Sequence, residues 1–167
     1  MACIICDLIN EKKETIYQDD KVVVLLVHKG FTIGHLKIVP KNHFNIFEQV
    51  PDEILSYMMT VANKFATILF DTFGLHGTNI LIQNGVGAGQ TIPHFSIDVV
   101  PRKANDGLNL KWDMNKASHE SLEGMKSILI EALDSGPGKE EPEKKPKKEE
   151  KISGDDNYMV KHLKHIP

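Results

Sequence analysis

Hydrophobic residues along the chain are spaced as in a domain that combines strands with helices. Residues 22–27 form a continuous apolar run, which is typical of a strand buried on both faces. Residues 35–39 alternate between apolar and polar side chains, and this run ends at a proline. Residues 78–83 and 94–100 predict two more strands. The pattern therefore predicts a sheet with at least one strand covered on both sides.

Two longer segments have the spacing of helices. The first begins at Pro51, because proline suits the first helical position, and its apolar residues recur every three or four positions. Gly74 is its predicted stop, since glycine adopts the left-handed conformation without steric cost. Ser118 is predicted to cap a second helix that extends through Leu133.

Composition narrows the functional class. The 167 residues carry a net charge of −3 and no basic footprint, so we expect no DNA or RNA partner. No apolar run is long enough to span a bilayer, and Asp7 and Asn10 interrupt the apolar start, unlike a secretory signal. We therefore expect a cytoplasmic protein without a membrane partner, in which Cys3 and Cys6 stay reduced.

The composition changes after the second helix. Glycine and proline break the chain at residues 136–138, and residues 139–151 are almost wholly Lys, Glu and Pro, a composition that cannot bury apolar surface. Apolar residues return close to the end. We expect a globular domain over residues 1–135, a charged linker over 136–151 and a docking tail over 152–167. The tail either folds back on its own domain or binds a protein partner.

One predicted strand carries three polar side chains on the same face. Side chains two positions apart in a strand point the same way, so His94, Ser96 and Asp98 share one face while Phe95 points to the other. A solvated face would explain this pattern in a lone strand. The preceding loop, residues 84–90, is rich in glycine, which lets backbone N–H groups approach a phosphate. The combination favours a nucleotide site.

These features together resemble the histidine-triad superfamily. The resemblance covers residues 3–102 and rests on segments whose order and spacing fit the family: residues 3–6, 16–20, 34–43, 84–94 and 100–102. It implies an α+β fold with an antiparallel sheet of about five strands, one long helix and a short N-terminal helix. It also implies a homodimer whose sheet continues across the two subunits, and a purine nucleotide bound above the glycine loop.

The chain departs from the family in the motif that names it, His-x-His-x-His. His94 matches the first histidine, but Ser96 stands where the family's nucleophilic histidine attacks the α-phosphate, and Asp98 stands at the third position. Val27 stands where the family has the aspartate that holds the ribose. Same-face residues lie about 6.5 Å apart in a strand, so Asp98 cannot orient His94 past Ser96 as a serine triad would require. Neither motif position is therefore assigned a catalytic role.

The other residues of the predicted site are expected to bind the nucleotide. We predict the nucleotide-binding residues Asn84, Gly89, Gln90, Thr91, Ser96 and Asp98. Asp98 could also share a Mg²⁺ or Mn²⁺ ion with the nucleotide, because carboxylates suit those ions. Tyr17 and Leu25 fall where the family builds its base pocket, and both suit a core equally well. His35, from the family's Gly-His pair, is expected to bond to backbone.

Cys3 and Cys6 form a Cys-x-x-Cys pair near the N-terminus. In some family members such a pair binds zinc together with the histidine of the Pro-Lys-x-His segment and the first triad histidine, which are His43 and His94 here. Two thiolates and two imidazoles make a closed tetrahedral site, typical of structural zinc. The alternative is that both cysteines are ordinary core residues and His43 is a surface residue. A zinc-bound His94 could not also act as a general base.

Three functional interpretations follow. The first is a purine-nucleotide-binding protein that has lost the nucleophilic histidine. The second is a divergent hydrolase or transferase that acts on dinucleoside polyphosphates or nucleoside phosphoramidates with another nucleophile, such as activated water. The third is a structural protein that works through its C-terminal tail. Nucleotide binding with or without turnover separates the first two, and binding of no nucleotide would leave the third.

Overall fold

The computed structural model describes residues 3–110 and 112–135. Its helices and strands are, in order, α1 (Ile4–Glu11), β1 (Thr15–Gln18), β2 (Val22–Leu26), β3 (Leu36–Pro40), α2 (Asp52–Phe73), β4 (Gly77–Leu81), β5 (Ile97–Arg102) and α3 (His119–Ser135). Contacts divide the chain into one unit within Met1–Leu108 and a second that begins at Asn109. The predicted linker, 136–151, and tail, 152–167, lie outside the described residues.

The five strands form one antiparallel sheet in the order β1-β2-β3-β5-β4, which confirms the predicted α+β fold. β2 shows why its sequence is continuously apolar. Val22 and Val24 belong to the core cluster that contains α2, whereas Val23 and Leu25 belong to the cluster that contains α1. Because successive side chains of a strand point to opposite faces, the two helices cover opposite faces of the sheet.

The long helix α2 matches its sequence prediction closely. Pro51 stands immediately before the first helical residue, and its carbonyl oxygen accepts the Leu55 N–H at 3.0 Å. The helix ends at Gly74, whose φ of 56° lies in the left-handed region and whose N–H donates to the Phe70 carbonyl oxygen. The buried residues Met58 and Val61 on one side of α2 pack against the sheet. The spacing and the stop are therefore confirmed. The helix starts one residue later than predicted, because Pro51 has a ψ of 141° and is the residue before the first helical position.

β5 begins later than the polar alternation predicts. We expected a strand over residues 94–100, but the ladder between β3 and β5 pairs Leu36 to Ile38 with Val99 to Ile97. Continuing this register would bring Phe95 opposite Pro40, which has no N–H to donate. The Phe95 N–H donates instead to the Phe44 carbonyl oxygen at 2.6 Å. His94 and Ser96 consequently lie on an irregular segment that leads into the strand.

The second unit contains α3. Ser118 caps this helix as predicted, since its Oγ accepts the Ser121 N–H at 3.2 Å. The apolar side chains of α3 that set its predicted spacing, such as Leu129, are exposed. Within residues 3–110 and 112–135, no helix combines the length and the apolar character needed to cross a membrane.

Replacing Gly74 by alanine is expected to destabilise the first unit by about 1–2 kcal/mol, because a Cβ atom disfavours the left-handed backbone. No atom of the described residues lies within 4 Å of the added methyl group, so the expected cost is conformational. Gly77→Ala is the matched control, since Gly77 also has open space but no positive φ. Urea unfolding measures both variants, and equal stability of the two would contradict this account.

Candidate functional site

Two cysteines and two histidines from distant parts of the chain meet at one point. Cys3 precedes α1, Cys6 lies in its first turn, His43 follows β3 and His94 precedes β5. One ligand atom from each residue lies within 4.8 Å of the other three. Sγ of Cys3 lies 3.5 Å from Nδ1 of His94, and Sγ of Cys6 lies 3.3 Å from Nδ1 of His43. Tetrahedral zinc bonds of ordinary length separate sulfur and nitrogen ligands by about 3.5 Å, so the group fits zinc.

The second nitrogen of each imidazole has a partner that fixes the ring. Nε2 of His94 donates to the Pro40 carbonyl oxygen at 3.0 Å, and Nε2 of His43 donates to Oδ1 of Asn45 at 3.0 Å. Both rings therefore present Nδ1, without a proton, to the cysteines. This is the arrangement that orients metal-binding histidines in proteins.

The protonation states of His94 and Cys6 determine how the cluster would bind a metal ion. Burial lowers the pKa of His94 to about 4, so this ring is neutral and available as a ligand at neutral pH. Burial and the neighbouring Cys3 raise the pKa of the Cys6 thiol to about 11. A zinc ion would therefore have to displace the proton of the Cys6 thiol when it binds the thiolate, so its binding would release a proton.

The third motif position, Asp98, is the centre of a buried polar network. Its carboxylate oxygen Oδ1 accepts from Nε2 of His35 at 2.8 Å and from Nζ of Lys37 at 2.6 Å. Nδ1 of His35 accepts the Phe31 N–H, which confirms the predicted bond of this ring to backbone. Lys37 also donates to Oγ of Ser96 at 3.1 Å. The carboxyl is buried, which opposes ionisation, but the bonds from His35 and Lys37 outweigh this effect and lower the pKa of Asp98.

Among the residues that the structure describes, none beside Ser96 is placed as a base that could activate its hydroxyl. One ring nitrogen of His94 bonds to the Pro40 carbonyl oxygen, and the other faces the cysteines. Asp98 bonds to His35 rather than to His94. The expectation that Asp98 cannot orient His94 is therefore confirmed. Lys37, which sequence reasoning missed, is the partner of Ser96. A lysine within a buried strand was the available signal, but its partners depend on the register between β3 and β5.

The glycine loop is held together by the side chains that we predicted as nucleotide ligands. Oε1 of Gln90 accepts the Gly85 N–H, and its Nε2 donates to the carbonyl oxygens of Asn45 and Ile92. Oδ1 of Asn84 accepts a backbone N–H, and its Nδ2 donates to a glutamate. These two amides therefore shape the loop. Gly89 has a φ of 88°, in the left-handed region. Thr91 follows the loop in the sequence and is exposed.

The residues expected near the base and the ribose of a nucleotide do not lie together in the structure. Tyr17 is partly buried and packs against the core on the α2 side, next to Phe65. Leu25 belongs to the cluster on the α1 side, together with Ile5. Val27 is half-buried, and its N–H bonds to the backbone of the β2–β3 connection. No carboxylate stands at this position for a ribose hydroxyl.

A small pocket of about 30 Å³ lies beside the polar network. It is lined by Ile5, Lys37, Gln83, Gln90, Thr91, Ile92, His94 and Ser96. The pocket thus brings the glycine loop, the first two motif positions and α1 together. Three of the predicted nucleotide-binding residues line it, whereas Asp98 lies behind Lys37.

Comparison with known proteins decides the family. The HIT domain model matches residues 9–105, which is more than half of the chain. The chain belongs to the histidine-triad family. An uncharacterised HIT-like protein of Methanocaldococcus jannaschii is 32% identical over 112 residues, covering 66% of this chain and 86% of that protein.

Two solved structures of the family share the fold. A histidine triad nucleotide-binding protein of Candida albicans is 25% identical with a TM-score of 0.71, covering 80% of this chain and 98% of that chain. A zinc-bound histidine triad family protein of Mycobacterium smegmatis is 27% identical with a TM-score of 0.62, covering 81% of this chain and 99% of that chain.

Asp98→Asn is expected to lower the free energy of unfolding at neutral pH by about 3 kcal/mol, because it leaves Lys37 without its buried countercharge. The folded pKa of Asp98 lies below 3.8, so the carboxylate's contribution is complete above that pH and disappears as the pH falls through the folded value. The difference between wild type and variant should therefore shrink below about pH 4.

Urea unfolding at pH 7, 5 and 3 measures this difference. Asp71→Asn, which changes an exposed carboxyl, is the control. A stability difference between Asp98→Asn and wild type that is the same at all three pH values would contradict the assigned network.

Proposed function

We propose that this chain is a purine-nucleotide-binding protein of the histidine-triad fold that performs no histidine-based nucleotidyl transfer. The observation that carries the proposal is the state of the three motif positions. Ser96 replaces the nucleophile and bonds to Lys37, His94 faces the cysteine pair, and Asp98 is buried against His35. A nucleophile, a base and an orienting group are thus not assembled on this face.

Nucleotide binding is supported by the pocket and by the loop above it. Gly85 and Gly89 have positive φ values, and the loop they bend stands beside a pocket with polar walls. Such loops suit phosphate groups because their backbone can approach an anion closely. The Candida albicans relative is described as nucleotide-binding, which supports the same class of ligand here.

We also propose that Cys3, Cys6, His43 and His94 hold one structural zinc ion. The ion would fasten the start of α1 to the segments before β5 and after β3, and all four protein ligands would close its coordination sphere. The zinc-bound Mycobacterium smegmatis relative supports this choice of metal. We do not propose a nucleotide-linked Mg²⁺ or Mn²⁺ ion at Asp98, because the Lys37 ammonium already lies 2.6 Å from Oδ1 of that carboxylate.

A homodimer remains part of the proposal. β4 is at the edge of the sheet and pairs with β5 along its other side. A second copy could extend the sheet from this edge, as the family resemblance implies, and Ile80 of β4 is partly exposed there. The cytoplasmic location and the role of the C-terminal tail stay predictions from the sequence.

Protein purified without chelator is expected to contain about one zinc ion per chain, as a closed four-ligand site requires. Cys3→Ser should lower both the zinc content and Tm, since metal binding contributes to folding stability. His28→Asn changes an exposed histidine outside the cluster and should alter neither. Elemental analysis and thermal unfolding measure the two effects. Wild-type protein with only traces of zinc would contradict the assigned site.

Calorimetric titration with AMP is expected to show saturable binding that depends on the glycine loop. Gly89→Ala should weaken AMP binding by about tenfold, because alanine disfavours a φ of 88° and its Cβ would lie 2.5 Å from Nε2 of Gln83. Gly87→Ala is the matched control, since nothing lies within 4 Å of its added methyl group. Failure of the wild type to bind AMP, or equal weakening by both substitutions, would contradict this location of the nucleotide site.

A further inference from the structure

Lys37 presents a positive charge to the pocket while its countercharge lies behind it. The residue stands directly opposite Asp98 in the ladder between β3 and β5. The Lys37 side chain is 20% exposed, whereas that of Asp98 is 2% exposed. An ammonium group has three N–H donors, and the bonds to Asp98 and Ser96 use two of them. One donor therefore remains for a ligand.

The walls of the pocket select an anionic group of small size. Among the described residues that line it, Lys37 is the one that carries a formal charge at neutral pH, and the others are polar or apolar. Its volume of about 30 Å³ suits one or two water-sized groups rather than a purine ring. Oγ of Ser96 accepts from Lys37, so its own hydrogen is available to a second acceptor. A phosphoryl group that places one or two of its oxygen atoms in the pocket would satisfy both donors.

We propose that Lys37 binds the phosphate of the nucleotide in this protein, with the hydroxyl of Ser96 as a second donor. The inference rests on the proposed nucleotide-binding function and assigns this pocket to a phosphate group of the nucleotide, for which AMP is the probe. Asp98 holds the ammonium beside the pocket through the ion pair. The charge that binds phosphate thus comes from β3 and not from a histidine of the motif strand.

The same ion pair decides between binding and catalysis at Lys37. A Ser–Lys pair can act as nucleophile and base only when the lysine is neutral and offers a lone pair. Here Nζ donates to a buried carboxylate oxygen at 2.6 Å and to Oγ of Ser96 at 3.1 Å, so it directs an N–H group and not a lone pair at the hydroxyl. Lys37 therefore binds an anion through its N–H groups and does not deprotonate Ser96.

The test compares AMP, adenosine and inorganic phosphate as ligands of full-length wild type and variants. Lys37→Met alone would leave Asp98 buried without a countercharge, so the informative variant is Lys37→Met combined with Asp98→Asn. Lys64→Met is the matched control, because Lys64 is an exposed lysine on α2, at the opposite face of the sheet. Circular dichroism and thermal unfolding establish that each variant folds.

The Lys37→Met/Asp98→Asn variant is expected to bind AMP at least about tenfold more weakly than wild type, because it lacks a charge-assisted hydrogen bond. Its affinity for adenosine should be unchanged. Inorganic phosphate should compete with AMP on the wild type and on Lys64→Met, and not on the double variant.

Each other outcome overturns the assignment in a recognisable way. Unchanged AMP affinity in the double variant, or equal affinity of the wild type for AMP and adenosine, would refute the role of Lys37 and leave nucleotide or nucleoside binding intact. A wild type that binds none of the three probes would overturn the proposed function and the role of Lys37 together. An equal loss of AMP affinity in Lys64→Met would show a general charge effect instead of a site.

Discussion

The need to compensate one buried carboxylate organises the polar face of this sheet. Asp98 is almost fully buried near the start of β5, where an unpaired charge would be very costly. Lys37 in β3 and His35, the residue immediately before β3, donate the hydrogen bonds that compensate its burial. Lys37 in turn engages Ser96, so the second and third motif positions form one network. The face that carries the family's chemistry is thereby occupied by an ion pair.

His94 does not take part in that network, because both of its ring nitrogens have other partners. One ring nitrogen bonds to Pro40 and the other faces Cys3 and Cys6, so the ring joins the start of α1 to the motif segment. Because α1 also contributes Ile5 to the pocket, the proposed metal site and the proposed nucleotide site share a wall. In our proposal the first motif position maintains the architecture, and the other two shape and charge the pocket.

Local sequence patterns predicted most of the fold. Of the metal-binding candidates, Cys3 and Cys6 came from their Cys-x-x-Cys spacing, and His43 and His94 came from the family resemblance. The apolar run of β2, the spacing of α2 and the stop at Gly74 are properties of short segments, so the sequence contains them directly. The partners of Asp98 are not local, because they follow from the register between β3 and β5. The same reason explains why Lys37 was missed. The side chains of Asn84 and Gln90, predicted as nucleotide ligands, also bond within the protein, and their bonds to Phe47 and Asn45 join segments that are far apart in sequence.

The central claim is that this face binds a nucleotide without transferring it, and single-turnover product analysis tests that claim most directly. An excess of protein would be incubated with adenosine 5′-phosphoramidate, and AMP would be measured by phosphorus NMR against a buffer control. The account predicts that AMP forms no faster with the protein than in buffer. AMP production above the buffer rate, lost in Ser96→Ala, would contradict it.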